Sequence, residues 1–263
     1  LAHPVPKQEL EVDASALHNT QFKKEQRKKM LEGERPSECA YCWRVEYAAK
    51  DTKILSDRIY QTARYTEEEI EALKKIPWDK NVNPKTVEIC FDNLCNLACS
   101  YCNSEFSSTW SKDIADNGAY INMKTDGGKT YRQDGSIAMP FGNKNEGNIY
   151  VKRFFDWFPE IRNSIDELRV SGGEPSRSPS FWKLLEICDN EKFQFAVNSN
   201  LIMDDKRLDR LIEGGSKFKK FEIYTSAECI GKNQEFVRDG FEWDVWERNL
   251  TKANRSEHVH TVH

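Results

Sequence analysis

The run Cys95-Asn-Leu-Ala-Cys99-Ser-Tyr-Cys102 sets three thiols in a CxxxCxxC spacing directly behind Thr86-Val-Glu-Ile-Cys-Phe91. There Val87, Ile89 and Phe91 alternate with Thr86, Glu88 and Cys90, and a period of two predicts a strand. The thiol loop therefore starts at a strand's C-terminal end. Iron–sulfur clusters are ordinarily held by four cysteines, so a group of three leaves one corner open to something other than protein. A zinc site is the rival reading, but zinc takes four closed ligands. Cys39 and Cys42 could pair with Cys99 and Cys102, yet their separation far exceeds the roughly 15–20 residue spacer of zinc ribbons.

A second motif follows in Glu167-Leu-Arg-Val-Ser-Gly-Gly-Glu-Pro175, which reads as a strand ending in a glycine pair and a carboxylate. Gly172 and Gly173 allow a ligand close to the backbone. Glu174 is then free to accept a hydrogen bond from an ammonium group, and Pro175 stops the strand. Taken alone, GGEP is an ordinary turn. Ser178 and Pro179 supply an N-cap and first-turn proline, with Phe181, Leu184, Leu185 and Cys188 on one helical face, Cys188 as a core thiol. Gln194–Asn198 reads as a strand. A helix from about Asp204 carries Leu208, Leu211 and Ile212 to a stop at Gly214-Gly215, and Lys220–Ser226 reads as another strand. Repeated strand–helix units predict a parallel sheet, with chemistry collected at the C-terminal strand ends.

On these two motifs together the sequence resembles the radical S-adenosylmethionine (SAM) superfamily. The resemblance implies an α/β fold, a partial (β/α)6 TIM-like barrel. It implies that Cys95, Cys99 and Cys102 hold a [4Fe-4S] cluster whose fourth iron is chelated by SAM. Tyr101 fills the family's aromatic position before the last cysteine, and Gly172, Gly173 and Glu174 match the motif that binds the methionine amino group. Asn198-Ser199-Asn200 stands where relatives contact the SAM ribose and carboxylate. Ser226-Ala-Glu228 matches a segment after the next strand, and Arg238 matches an arginine that reaches the SAM carboxylate. The bland alternatives are turn formers after strands and, for Arg238, a surface charge on a helix. The implied chemistry is reductive cleavage of SAM and hydrogen-atom abstraction from substrate, fed by a one-electron donor such as flavodoxin or ferredoxin. Relatives point to a peptide or protein substrate, and no residue is assigned a catalytic role on it. A structural zinc or interaction protein, a degenerate relative without turnover, and a nucleic-acid-modifying relative such as one acting on tRNA are the competing readings.

Residues 1–78 form a separate, mainly helical region with its own pair, Cys39 and Cys42. Two thiols close no four-ligand site. They meet cysteines absent from this chain, are approached by Cys90 or Cys229, or stay free. Gly33–Glu46 followed by Ser56-Asp-Arg58 resembles the part preceding the core in phage and bacterial radical SAM proteins with a twitch (short SPASM-like) element, which implies an auxiliary Fe–S cluster at Cys39 and Cys42. Those relatives carry further upstream cysteines. Together with a first residue of Leu, and with His258-Val-His-Thr-Val-His263 starting a strand one short of six, this reads as a fragment whose core, 79–263, is truncated at its C-terminus. Alternation puts His258 and His260 on one face and His263 on the other.

Phe22–Leu31 predicts a basic amphipathic helix, with a solvated face or a nucleic-acid contact as its readings. Thr66-x-x-Glu69 is a capping box with Ile70 and Leu73 pointing inward, and Asp79–Pro84 is the linker. The Gly- and Asn-rich insert 116–148 is placed to act as a substrate lid. Phe154, Phe155, Trp157 and Phe158 belong to a core-facing crossover helix. Cys229 sits just beyond a strand end, as a hydrogen donor, a ligand of a second cluster or a small buried hydrophobe. The net charge of −4 argues against general affinity for nucleic acid. No apolar run reaches the ~18 residues of a membrane span and no secretory signal is visible, so the cytoplasm is the expected compartment, where eight cysteines mean metal or redox chemistry.

Overall fold

The computed structural model describes residues 5–49, 54–118, 148–189 and 191–263. Most of the insert expected to form a lid lies outside the described residues. The chain divides into two compact units, one of residues 1–83 with 152–158 and one of residues 84–151 with 159–263.

The first unit is helical: α1 (Lys7–Val12), α2 (Ala16–Asn19), α3 (Gln21–Leu31), α4 (Ala40–Ala48), α5 (Asp57–Thr62) and α6 (Glu67–Lys74). Side-chain oxygens cap three of them. Thr20 accepts from Lys23 N, Ser56 from Ile59 N, and Thr66 with Glu69 forms the reciprocal capping box read from sequence. Such caps satisfy amide donors that a helix start leaves orphaned. The basic helix is α3, and none of its residues is buried. Of the inward face expected for α6, Ile70 is half-buried but Leu73 is 39 % exposed. The aromatic run lies in the helix Ile149–Ile161, whose residues 152–158 belong to this unit. There Trp157 stacks on His18 at 6.4 Å, and Phe154, Trp157 and Phe158 are buried. That helix is thus anchored by the helical unit along its middle, and not only as a crossover.

From residue 84 the chain runs β1 (Thr86–Cys90), β2 (Ala98–Cys99), α7 (Ser108–Asn117), α8 (Ile149–Ile161), β3 (Glu167–Ser171), α9 (Pro179–Ile187), β4 (Glu191–Asn198), α10 (Asp205–Gly215), β5 (Phe218–Tyr224), α11 (Lys232–Val237), β6 (Arg238–Asp239), α12 (Trp243–Asn254) and β7 (Thr261–Val262), all in the second unit except residues 152–158 of α8. Five strands form one sheet in the order β1-β3-β4-β5-β7, every neighbouring pair parallel. The spatial order follows the chain order. It lacks the reversal that defines a doubly wound sheet.

Strands buried on both faces read as near-continuous apolar runs, and Phe193, Phe195, Ala196 and Val197 of β4 are all buried. The register sets Val170 beside Val197 and Phe195 beside Phe221. Phe195 stacks on Phe218 at 4.4 Å. The helices cover this sheet with the faces expected: Phe181, Leu184 and Leu185 of α9 and Leu208, Leu211 and Ile212 of α10 are buried. Each such side chain contributes roughly 1.5–3 kcal/mol of burial. Cys188 is wholly buried, and burial pushes its thiol up to about 12, which makes it the inert core group anticipated. Among the described residues no helix is long and apolar enough to cross a membrane.

Candidate functional site

In a parallel sheet all C-terminal strand ends share one edge, so the loops after β1, β3 and β4 meet there. Asp92, just past β1, forms the turn that starts the thiol loop. Its Oδ1 accepts from Leu94 N at 3.1 Å, and its Oδ2 accepts from Ser178 Oγ at 2.5 Å. Burial pushes this carboxyl above its ordinary range, and the donated hydrogen bonds oppose that. The turn is an Asx type, so a signal for Asp92 was present in the sequence; its partner Ser178 was read only as a helix cap.

The thiol loop is gripped by the start of α7. Cys95 N donates to Ser108 Oγ at 3.0 Å and Thr109 Oγ1 donates to the Cys95 carbonyl at 2.7 Å. Ser107 Oγ reaches the Leu97 carbonyl at 2.7 Å and Trp110 Nε1 the Cys99 carbonyl at 2.9 Å. This set of donors was missed in the sequence, where only the polar run Ser107-Ser108-Thr109 hinted at a cap. None of the three cysteines is in a disulfide; Cys99 is buried and Cys95 and Cys102 are half-buried, packed with Leu97, Ile202 and Phe241. Burial raises each thiol, Cys95 to about 11, while the Arg238 charge pulls Cys99 and Cys102 back. Metal binding to thiols displaces their protons, and burial raises the cost of that step.

Gly172 and Gly173 stand at φ +84° and +48°, backbone that other residues adopt at a cost. A Cβ on Gly172 would lie 1.9 Å from Cys90 Sγ, and one on Gly173 would lie 2.3 Å from the Leu94 carbonyl oxygen. The close approach that the pair permits is made here by the chain itself, which draws the end of β3 onto the thiol loop. Glu174 N completes the contact by donating to the Leu94 carbonyl at 2.6 Å.

The Glu174 side chain is wholly buried. Its Oε2 accepts from Asn200 N at 2.6 Å, and its Oε1 from Ser199 Oγ at 2.9 Å and Ser176 N at 3.0 Å. Burial pushes the carboxyl up against the pull of these donors. The sequence reading left this carboxylate free for an ammonium group; in the structure its acceptors are taken by backbone and Ser199. Asn200 continues the chain of contacts, donating from Nδ2 to Asn96 Oδ1 at 3.0 Å.

Arg238 is neither on a helix nor a surface charge. It lies in β6, opposite Cys99 in an antiparallel pair with β2, and is 8 % exposed. Its guanidinium binds Glu228 through two 2.8 Å hydrogen bonds and lies 5.6 Å from the Tyr101 ring centre. Tyr101 donates its hydroxyl to Glu228 Oε1 at 2.8 Å. This bidentate partner holds the Glu228 carboxyl at about 2. Sequence analysis placed Tyr101, Arg238 and Glu228 near SAM but did not join them to one another.

The structure thus brings together Cys95, Cys99, Cys102, Tyr101, Gly172, Gly173, Glu174, Ser199 and Arg238. Asn198 ends β4 and Ser226 follows β5, both exposed. Cys229 is half-buried, its Sγ 3.5 Å from Gln234 Oε1 as a hydrogen-bond donor, so it is only in part the small buried hydrophobe among its readings. Cys39 and Cys42 belong to the helical unit, at the start of α4, as free, half-buried thiols. His260 and His263 lie at β7, where His260 Nδ1 accepts from Phe221 N and His263 stacks on Tyr224.

Soft thiols on one loop suit an iron–sulfur cluster or zinc. Among the described residues no group of three or more His, Cys, Asp or Glu side chains is placed to hold a metal ion, the thiols of Cys95, Cys99 and Cys102 included. No protein-family model matches the chain, and no curated protein or solved structure is significantly similar to it.

Proposed function

We propose that this chain is a radical SAM enzyme, with Cys95, Cys99 and Cys102 as ligands of a [4Fe-4S] cluster. The observation that carries the proposal is the joining of the thiol loop, the glycine pair with Glu174, and Ser199-Asn200 at one edge of a parallel sheet. Cys95, Cys99 and Cys102 would each hold a separate iron of the cluster, which would supply one-electron chemistry. The sequential strand order supports reading the sheet as the wall of a partial barrel, where chemistry gathers at the C-terminal ends.

When bound, the cluster and SAM supply reductive carbon–sulfur cleavage and hydrogen-atom abstraction from a substrate. The chain's own residues orient the parts. Ser107, Ser108, Thr109 and Trp110 fix the carbonyls and amides of the thiol loop. Glu174 orders the Ser199-Asn200 turn, so that backbone and side-chain groups of residues 172–174 and 198–200 are preorganised for the polar end of SAM. Arg238 lends positive charge beside Cys99, Tyr101 lies against it, and Ser226 is assigned to SAM by the resemblance alone. A peptide or protein substrate, a flavodoxin- or ferredoxin-type electron donor, a cytoplasmic setting and an auxiliary cluster at Cys39 and Cys42 extend the same reading.

The test is anaerobic incubation of the reconstituted protein with SAM and dithionite. Formation of 5′-deoxyadenosine, lost on Cys99→Ala, is expected. A colourless, zinc-containing protein that leaves SAM intact overturns the proposal in favour of a structural site.

A further inference from the structure

We infer that Glu228 is a positioning residue, a carboxylate latch that fastens the thiol loop to β6 and screens the Arg238 charge beside Cys99. The inference rests on the proposed cluster only for what the thiols hold; the latch itself is a matter of protein contacts.

Tyr101 sits inside the thiol run, between Cys99 and Cys102, and Arg238 faces Cys99 across the β2–β6 pair. That pair is only two residues long on each side. A ladder so short is weak by itself. Glu228 joins the thiol loop to β6: it takes the Tyr101 hydroxyl and both guanidinium hydrogen bonds at 2.8 Å each.

Glu228 is itself set from behind. Gln234 is wholly buried. Its Oε1 accepts from Glu228 N at 2.9 Å and Cys229 N at 3.0 Å, and its Nε2 donates to Glu228 Oε2 at 3.1 Å. Both carboxylate oxygens are thus directed by neighbours, and charge-assisted bidentate pairing fixes the plane of the guanidinium. Ser100 N donates to the Val237 carbonyl at 2.8 Å, so the latch closes over one continuous backbone contact. Removing the carboxylate frees Tyr101 and leaves Arg238, 8 % exposed, without its counter-charge, which favours movement of β6 off the loop.

Two readouts test this in the full chain. In the metal-free protein, iodoacetamide labelling followed residue by residue reports local opening, and Cys188 in the sheet core serves as the internal reference. Glu228→Ala and Tyr101→Phe are expected to speed labelling of Cys99, by about fivefold or more in Glu228→Ala, with Cys188 unchanged. Equal Cys99 rates in wild type and Glu228→Ala, or a parallel rise at Cys188 in both Glu228→Ala and Glu228→Gln, overturn the latch. In the reconstituted protein, Glu228→Gln keeps an acceptor for Tyr101 but unmasks Arg238, so the cluster's midpoint potential moves positive, since nearby net charge tunes it. An unchanged or more negative potential contradicts the screening role. Absence of iron in wild type would instead remove the cluster reading, while the labelling result still decides the latch.

Discussion

Replacing Glu174 isolates the claim that this carboxylate organises the strand-end loops. Its two oxygens collect three donors: Asn200 N on one, Ser199 Oγ and Ser176 N on the other. Glutamine has the same shape but only one carbonyl oxygen. If that oxygen keeps Ser199 and Ser176, the amide NH2 faces Asn200 N–H across a 2.6 Å contact, donor against donor. Hydrogen bonds to a charged group contribute about 1.5–3 kcal/mol each, and a stranded buried donor costs ~1–3 kcal/mol. Glu174→Gln should therefore lose roughly 2–4 kcal/mol, and Glu174→Ala, which strands all three donors, roughly 4–6 kcal/mol. Against the usual 5–15 kcal/mol of a folded domain, the alanine variant should be close to unfolding. Urea titration followed by tryptophan fluorescence suits the site, because Trp182 Nε1 donates to the Ser176 carbonyl at 2.9 Å. A Glu174→Gln midpoint within about 0.5 kcal/mol of wild type, at equal m-value, would refute the reasoning and return Glu174 to the role of a free acceptor.

Two further outcomes follow from the geometry. Gly173→Ala places a methyl group 2.3 Å from the Leu94 carbonyl oxygen at φ +48°; the left-handed backbone alone costs about 1–2 kcal/mol. With the clash added, a loss of more than about 2 kcal/mol in urea unfolding is expected, whereas a neutral variant would mean the β3 end does not press on the thiol loop. His18, stacked on Trp157, has its pKa lowered from 6.5 to about 4, by burial first and then by repulsion from Lys23 and Arg27. The folded value lies below the unfolded one, so the unfolded chain binds the proton first. Stability of the helical unit is complete above about pH 6.5 and falls toward pH 4, by roughly 3 kcal/mol in all. His18→Gln should flatten that dependence between those limits, and an unaltered slope would show that another group carries it.

Periodicity and caps carried much of the fold. The alternation at Val87, Ile89 and Phe91 led to β1, and the signals at Ser178-Pro179 and Asp204 led to α9 and α10, because each is a local pattern with a local physical cause. Helix α6 was legible as an element through its capping box, but the fate of Leu73 was not, since what covers an apolar face is decided elsewhere in the chain. The β2–β6 pair is too short to leave a period, so the meeting of Cys99 with Arg238 could not be read. Glycines at 172 and 173 announced a close approach without saying by what, and Cys90 Sγ and the Leu94 carbonyl are the answer. Glu174 was legible as a strand-end carboxylate able to accept hydrogen bonds, but not its burial or its three donors, which come from two different loops.

The central claim is that Cys95, Cys99 and Cys102 hold one cluster with an open iron corner. Iron and acid-labile sulfide should be measured on anaerobically reconstituted wild type and on the variant with all three cysteines changed to alanine. The account predicts about four irons per chain in wild type that are absent from the variant, with Cys39 and Cys42 changed separately to count any second cluster. Equal iron in wild type and the triple variant, or stoichiometric zinc in its place, would contradict it.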